Sequence, residues 1–298
     1  MKKKVSKSSI LFIVGSMLVV GSGTTIGLLL GQKYFDFDIP DAEIDEHDDS
    51  LYEKYLLLKK TNVTTSKLID EFRPYQLVKL GLMNFEKASH AQITATGSVD
   101  ASISNQSVTS KYIKINDTYF AESLSFGKMV KVGWRYYQTN DEIKVYKANK
   151  LSDTYSASWP NEDKTTEVHT LESFKETWGK SMTLPFIYTL NSITVDEESC
   201  KEDGDNIVVD LSLQPELSTV NYGKQMKKTS DLKGVPTFNL VTLKFTLSSD
   251  LMITKNEIYE KYSVPYGFSV PTTGAITEEY TYLDNISIPS LDENANYN

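Results

Sequence analysis

The stretch Ile10 to Leu30, ILFIVGSMLVVGSGTTIGLLL, constrains this chain more than any other. It carries no charge and follows a basic start that holds Lys2, Lys3, Lys4 and Lys7. A helix needs about 20 mostly apolar residues to cross a bilayer core. Lys and Arg stay on the cytoplasmic side, while acidic residues crowd the other side from Asp36 to Asp49. The run therefore reads as a signal-anchor: a single-pass transmembrane helix in the cell membrane, N-terminus cytoplasmic, the remainder extracytoplasmic. A cleaved secretory signal, cut near Gly21-Ser22-Gly23, is the competing reading. Ile26-Gly27-Leu28-Leu29-Leu30 continues the apolar run past that point and favours the uncleaved anchor. Within it, Gly23, Gly27 and Gly31 recur every four residues, a spacing that lets a second helix approach closely. Chance spacing is the plain alternative to a homodimer through this helix.

The single cysteine, Cys200, excludes an internal disulfide, a cysteine-built zinc site and a lipid-attached cysteine at the N-terminus. The external part must stand on its apolar core. The formal net charge is −9, and the positive charges of the first seven residues lie outside that part. An acidic ectodomain is a poor partner for nucleic acid. With 18 Tyr and 12 Phe and abundant Thr, Val and Ile, the composition favours strands. The chain divides into a cytoplasmic start and anchor (1–31), an acidic stalk with a short helix (32–64), an antiparallel β-rich domain (65–286) and a polar tail expected to be disordered (287–298).

Two helices precede the first strand. Leu51 to Lys60 places Leu51, Tyr55 and Leu58 on one side; Ser66 to Ala88 is interrupted at Pro74. In the second half, Val78, Leu82 and Phe85 form one stripe with Leu77, Leu80 and Gly81 beside it. That face is broad enough to be buried on a sheet, and Gly81 permits close approach. Ala91 to Ile103 then alternates small apolar residues with polar ones, the period of a strand with one dry face. Asn116-Asp117 and Asn140-Asp141 sit where two-residue hairpins need left-handed backbone. Ala91 to Lys147 thus reads as an antiparallel meander. Lys150 to Val168 reads as irregular. A helix capped by Thr170 and closed by Gly179 follows. Strands resume at Ser192 and continue through Ile207 to Leu213, Val241 to Leu247, Leu251 to Val264 and Ala275 to Leu283, with a weak helix over 217–232. A shift of apolar phase between Ile253 and Ile258 predicts a bulge.

No catalytic pattern appears, so no enzyme and no cofactor are expected. His47, His90 and His169 lack ligand-spaced partners, so no metal site is expected. Acidic neighbours keep the Cys200 thiol protonated. Glu278 and Glu279, adjacent on a strand, face opposite sides and do not act as a couple. What remains is an apolar piece of poor regular structure between two meanders: Trp178, Met182, Leu184, Phe186 and Ile187. Either these fill a core or they line a ligand cavity.

The order helix, long meander, central helical insert, second meander resembles the LolA/LppX-like family of extracytoplasmic lipid carriers. The resemblance is carried by Tyr75 to Ala88 running into Ala91 to Ile103, and by VTLKFTLSSDLMITKNEIYEKYSV from Val241 to Val264. It implies an α+β fold, a curved antiparallel sheet forming an incomplete barrel over helices, with an apolar cavity between them for acyl chains. This chain departs from the family in lacking a lipid-attached cysteine and keeping a membrane helix, which suits a tethered carrier or sensor. The competing reading is a tethered cell-envelope interaction module with a filled core. The anchor itself is checked by sequencing the N-terminus of protein made in its host: the intact start in the membrane fraction is expected, and a soluble form beginning near Thr24 would contradict it.

Overall fold

A computed structural model describes residues 49–61, 63–101, 104–127, 131–148, 165–229, 234–265 and 269–289, together with the dipeptides Val19–Val20 and Thr24–Thr25. Those dipeptides pair antiparallel, where the sequence reading expects helix. Both are β-branched, and such residues favour extended backbone. Gly23, Gly27 and Gly31 lie outside the described residues. No helix among the described residues is long and apolar enough to cross a membrane.

The described strands are β1 (His90–Ala101), β2 (Ser104–Ile115), β3 (Thr118–Gly127), β4 (Lys131–Thr139), β5 (Glu142–Ala148) and β6 (Thr165–Thr170). After the insert come β7 (Val195–Asp203), β8 (Asn206–Leu213), β9 (Thr237–Ser248), β10 (Ile253–Pro265) and β11 (Ser269–Thr281). They form one unclosed antiparallel sheet in the order β6-β5-β4-β3-β2-β1-β11-β10-β9-β8-β7. Each meander is locally connected, and the pairing of β1 with β11 joins them. The hairpin turns follow their residues: Asn116 and Asn140 have φ of 50° and 54°, and Gly204 between β7 and β8 has φ 60°. The expected bulge sits at Thr254, where the β9 register steps from Lys255 opposite Thr246 to Ile253 opposite Leu247.

Helices α1 (Asp49–Lys59), α2 (Thr65–Glu71) and α3 (Pro74–Lys87) precede the sheet, and α4 (Leu171–Trp178), α5 (Pro215–Ser218) and α6 (Val220–Thr229) belong to the insert. Pro74 opens α3, a position where its missing N–H costs nothing. The Glu198 carboxylate of β7 accepts the Tyr75 N–H at 3.0 Å and pairs with Arg73 at 2.6 Å, pinning this helix N-terminus to the sheet. Leu77, Val78, Leu80 and Phe85 are buried beneath α3. A Cβ on Gly81 would lie 2.8 Å from Leu247 Cδ2 and 2.9 Å from Ile253 Cγ1, so only glycine allows this approach. Helix α1 is docked as well: the Tyr55 hydroxyl donates to the Asp250 carbonyl at 2.8 Å. Asn84 donates to the Asp250 and Leu251 carbonyls, holding Leu251 in its left-handed conformation at φ 53°.

Several elements differ from the sequence reading, among them β9 and β11, which begin at Thr237 and Ser269 instead of Val241 and Ala275. Strand β6 falls partly in the segment read as irregular; its polar, short sequence hides an edge strand. The weak helix 217–232 is two pieces, α5 and α6, broken at Thr219. Strand β2 starts at Ser104, ahead of Lys111 where the residues first read as strand, because Ser, Gln and Thr mask the period before it. At the other end, Ile286 and Ile288 pack on Ile113, Phe120 and Tyr137, on the face of β2 to β4 away from the helices, so the start of the expected disordered tail is held by apolar contact.

The small dry face of β1 lets the sheet bend sharply. A Cβ on Gly97 would lie 2.5 Å from the Ala275 carbonyl oxygen of β11. That neighbour is backbone and cannot turn aside. Gly97→Ala is therefore expected to lower stability by about 1–3 kcal/mol, read by urea denaturation. Gly204→Asn, in open space, should stay within about 0.5 kcal/mol of the original chain.

Candidate functional site

The insert between the meanders builds the site. Thr170 accepts the Ser173 N–H, and Gly179, at φ 65°, ends α4 in a left-handed cap. A Cβ there would lie 2.5 Å from the Asn221 carbonyl oxygen, so this cap is also where α4 touches α6. From Gly179 the chain runs without regular structure to Leu190. It forms one wall of a cleft of about 610 Å³, within the usual range of ligand pockets. The opposite wall is α3, through Lys79, Leu82, Met83 and Glu86. Helix α4 adds Glu172, Lys175 and Glu176, and α6 adds Asn221 and Lys224. Among the described residues no strand residue lines it. The expected cavity between sheet and helices is thus displaced: the cleft opens among the helices and the 179–190 segment.

The five apolar residues singled out in sequence divide between two places. Leu184, Phe186 and Ile187 line the cleft. Trp178 and Met182 lie in the core, outside that lining. The Trp178 ring stands edge-on to Trp134 at 5.4 Å and to Tyr136 at 5.3 Å, and stacks on Phe174 at 5.7 Å. The Met182 carbonyl accepts the buried Tyr112 hydroxyl at 2.6 Å. Spacing alone could not separate the two sets, because a chain without helix or strand has no period to read.

Two polar features escaped the sequence reading. Lys180 lines the cleft, is 5 % exposed and lies with its amine 4.4 Å from the centre of the Tyr136 ring. Burial pushes its pKa well below that of a free lysine. The second is Glu260 on β10, which is wholly buried. It accepts hydrogen bonds from the hydroxyls of Tyr188 and Tyr222. Tyr188 lines the cleft, so Glu260 stands directly behind its wall. On the same dry face, Glu278 of β11 accepts from Asn256 and Tyr280, each at 2.9 Å. The signal was present: past the bulge at Thr254 the inward phase becomes Asn256, Ile258, Glu260, Tyr262, Val264. Among the described residues no group of histidine, cysteine and carboxylates could hold a metal ion.

No family model and no curated protein matches the chain. Among solved structures it is similar to LprF from Mycobacterium bovis, with 8% identity over 73% of this chain and 96% of that one, at a TM-score of 0.34. It is also similar to a DUF1329 family protein from Desulfovibrio piger, with 10% identity over 72% of this chain and 93% of that one, at a TM-score of 0.28. At these scores neither likeness carries an argument about function. The architecture itself, an unclosed antiparallel sheet over helices with a helical insert between two meanders, resembles the LolA/LppX-like fold.

Burial raises the Glu260 pKa to about 7, against the lowering effect of its two tyrosine donors. The folded chain then keeps a proton that the unfolded chain releases above about pH 4.5. Stability should fall as pH rises from about 4.5 to 7, by on the order of 3 kcal/mol, and then level off. Denaturation at pH 5 and pH 8 checks this: Glu260→Gln should lose that share of the slope, and an unchanged slope would assign it elsewhere.

Proposed function

We propose that this chain is a membrane-tethered extracytoplasmic protein that binds an amphiphile, placing its apolar part in the cleft between α3 and the 179–190 segment. One observation carries the reading. Leu82, Met83, Leu184, Phe186 and Ile187 converge on a recess large enough for a small ligand, with charged residues at its rim. Irregular segments usually run over the surface with polar residues outward; this one turns apolar side chains onto a recess. The LolA/LppX-like architecture adds weight by analogy only. The role is binding, with no chemical step. The basic start and apolar run support the tether, and Gly23, Gly27 and Gly31 support a homodimer through it.

A second reading is favoured by a different observation. Between helices and sheet, Trp134, Tyr136, Phe174 and Trp178 pack in one cluster, and Tyr188, Tyr222, Phe238 and Tyr262 in another. A filled interior suits a tethered interaction module that takes no small ligand.

Phe186 separates the two. It is half-buried, with Tyr188 at 5.5 Å and Phe245 at 6.0 Å. If the cleft holds hydrocarbon, Phe186→Asp sets a charge against it and should cut co-purifying lipid at least about tenfold, with little change in the melting temperature of the lipid-free form. Native mass spectrometry and a thermal melt on one sample measure both. A chain that never carries lipid, or a collapsed melt with lipid retained in the folded fraction, favours the interaction module.

A further inference from the structure

Lys180 is the least expected residue of the cleft. Buried lysines are rare unless paired. Among the described residues its amine has no hydrogen-bond or ion-pair acceptor; its neighbours are the ring faces of Tyr136 at 4.4 Å and of Phe174 and Trp178 at 5.9 Å. Ring faces attract a cation but accept no conventional hydrogen bond. The donors of this amine are thus left without an acceptor, on a residue that lines the cleft. The residue also follows directly on the C-terminal cap of α4, where the helix dipole favours positive charge.

The surrounding charges have an order. Four lysines and three glutamates line the cleft, a positive balance in a chain of net charge −9. Glu172 and Glu176 are exposed and Glu86 is half-buried, whereas Lys180 and Lys79 are buried. The rim thus carries both signs, with exposed Lys175 between Glu172 and Glu176 and Lys224 half-buried, while the deepest charged side chains are those of the two buried lysines. An arriving anion is screened from the rim by water but meets Lys180 in a drier setting, where a charge-assisted hydrogen bond is stronger.

From this we infer that Lys180 binds the anionic head group of the amphiphile, which enters the cleft head first while its tail lies along Leu184, Phe186 and Ile187. The inference rests on the amphiphile-binding reading above. Carboxylate and phosphate share the required chemistry, a compact oxyanion that accepts from an ammonium group. Burial that disfavours the charged amine also leaves it ready to gain from an anionic partner.

The test uses the full chain held in amphipol, titrated with dodecanoate, monododecyl phosphate and dodecanol below their aggregation limits. In the original chain at least one anion should bind about tenfold or more tightly than dodecanol, and the tighter of the two identifies the head group. Lys180→Met should bring all three affinities together while the dodecanol affinity and melting temperature hold. Lys180→Gln, which keeps a polar end, is measured alongside in case the methionine variant does not fold, and should lose the same preference. Dodecanol binding as tightly as both anions, or a preference that survives both variants, overturns the role of Lys180 but leaves the cleft as an apolar site. No binding of any of the three overturns both readings together.

Discussion

The hydrogen-bonded seam between β1 and β11 is the constraint on which the rest depends. It pairs Gln92 with Thr281 at one end and Ala101 with Thr272 at the other. Each meander can form locally, but only this seam makes them one sheet. Its partners lie far apart in sequence, so the loop-closure cost of joining them is met late in folding. The seam passes through Gly97, where the two backbones come too close for any Cβ. Small residues along β1 are the local condition for that bend.

Once the sheet is joined, its concave side must be covered. Helix α3 does this for β7 to β10, held by the Glu198 clasp at its N-terminus and by Gly81 in its middle. The insert covers much of the rest with aromatic rings. Trp178 and Phe174 complete the layer against β4, Tyr222 completes it against Phe238 of β9, and Tyr188 does so through its hydrogen bond to Glu260 of β10. The segment from Gly179 to Leu190 is left to cross between these two clusters. Its apolar residues divide, some inward to the core and some toward α3, and the cleft is the gap that results. Polar groups next to this gap, Lys180 and Glu260, are buried because the rings around them exclude water.

Much of this was legible in the residues. The strict alternation of Ala91 to Ala101, the Asn-Asp hairpins, the break at Pro74, the Thr170 and Gly179 caps and the bulge before Ile258 each carry a local physical signature. What was not legible depends on tertiary placement. Strand β6 is an edge strand whose Val168 is exposed, so it has no dry face to announce it. Leu184 and Met182 look alike in sequence, and only the position of α3 sends one to the cleft and the other to the core. Glu260 and Lys180 were passed over because charged residues are expected outside. Both proved to be buried, one behind the cleft and one within it.

A recess with an apolar wall and a buried lysine thus lies beside a sheet covered by packed aromatic rings. Cleft wall and packed core lie only a few residues apart in the chain, at Leu184 and Met182. The most direct test locates a bound amphiphile. A stearate bearing a nitroxide on its tail, added to methyl-labelled protein, broadens the signals of nearby methyl groups. The account predicts selective broadening of Leu82, Leu184 and Ile187, with Val209 and Leu211 of the sheet core spared. Broadening confined to the face of β2 to β4 that carries Ile113 and Phe120, or none at any position, would contradict it.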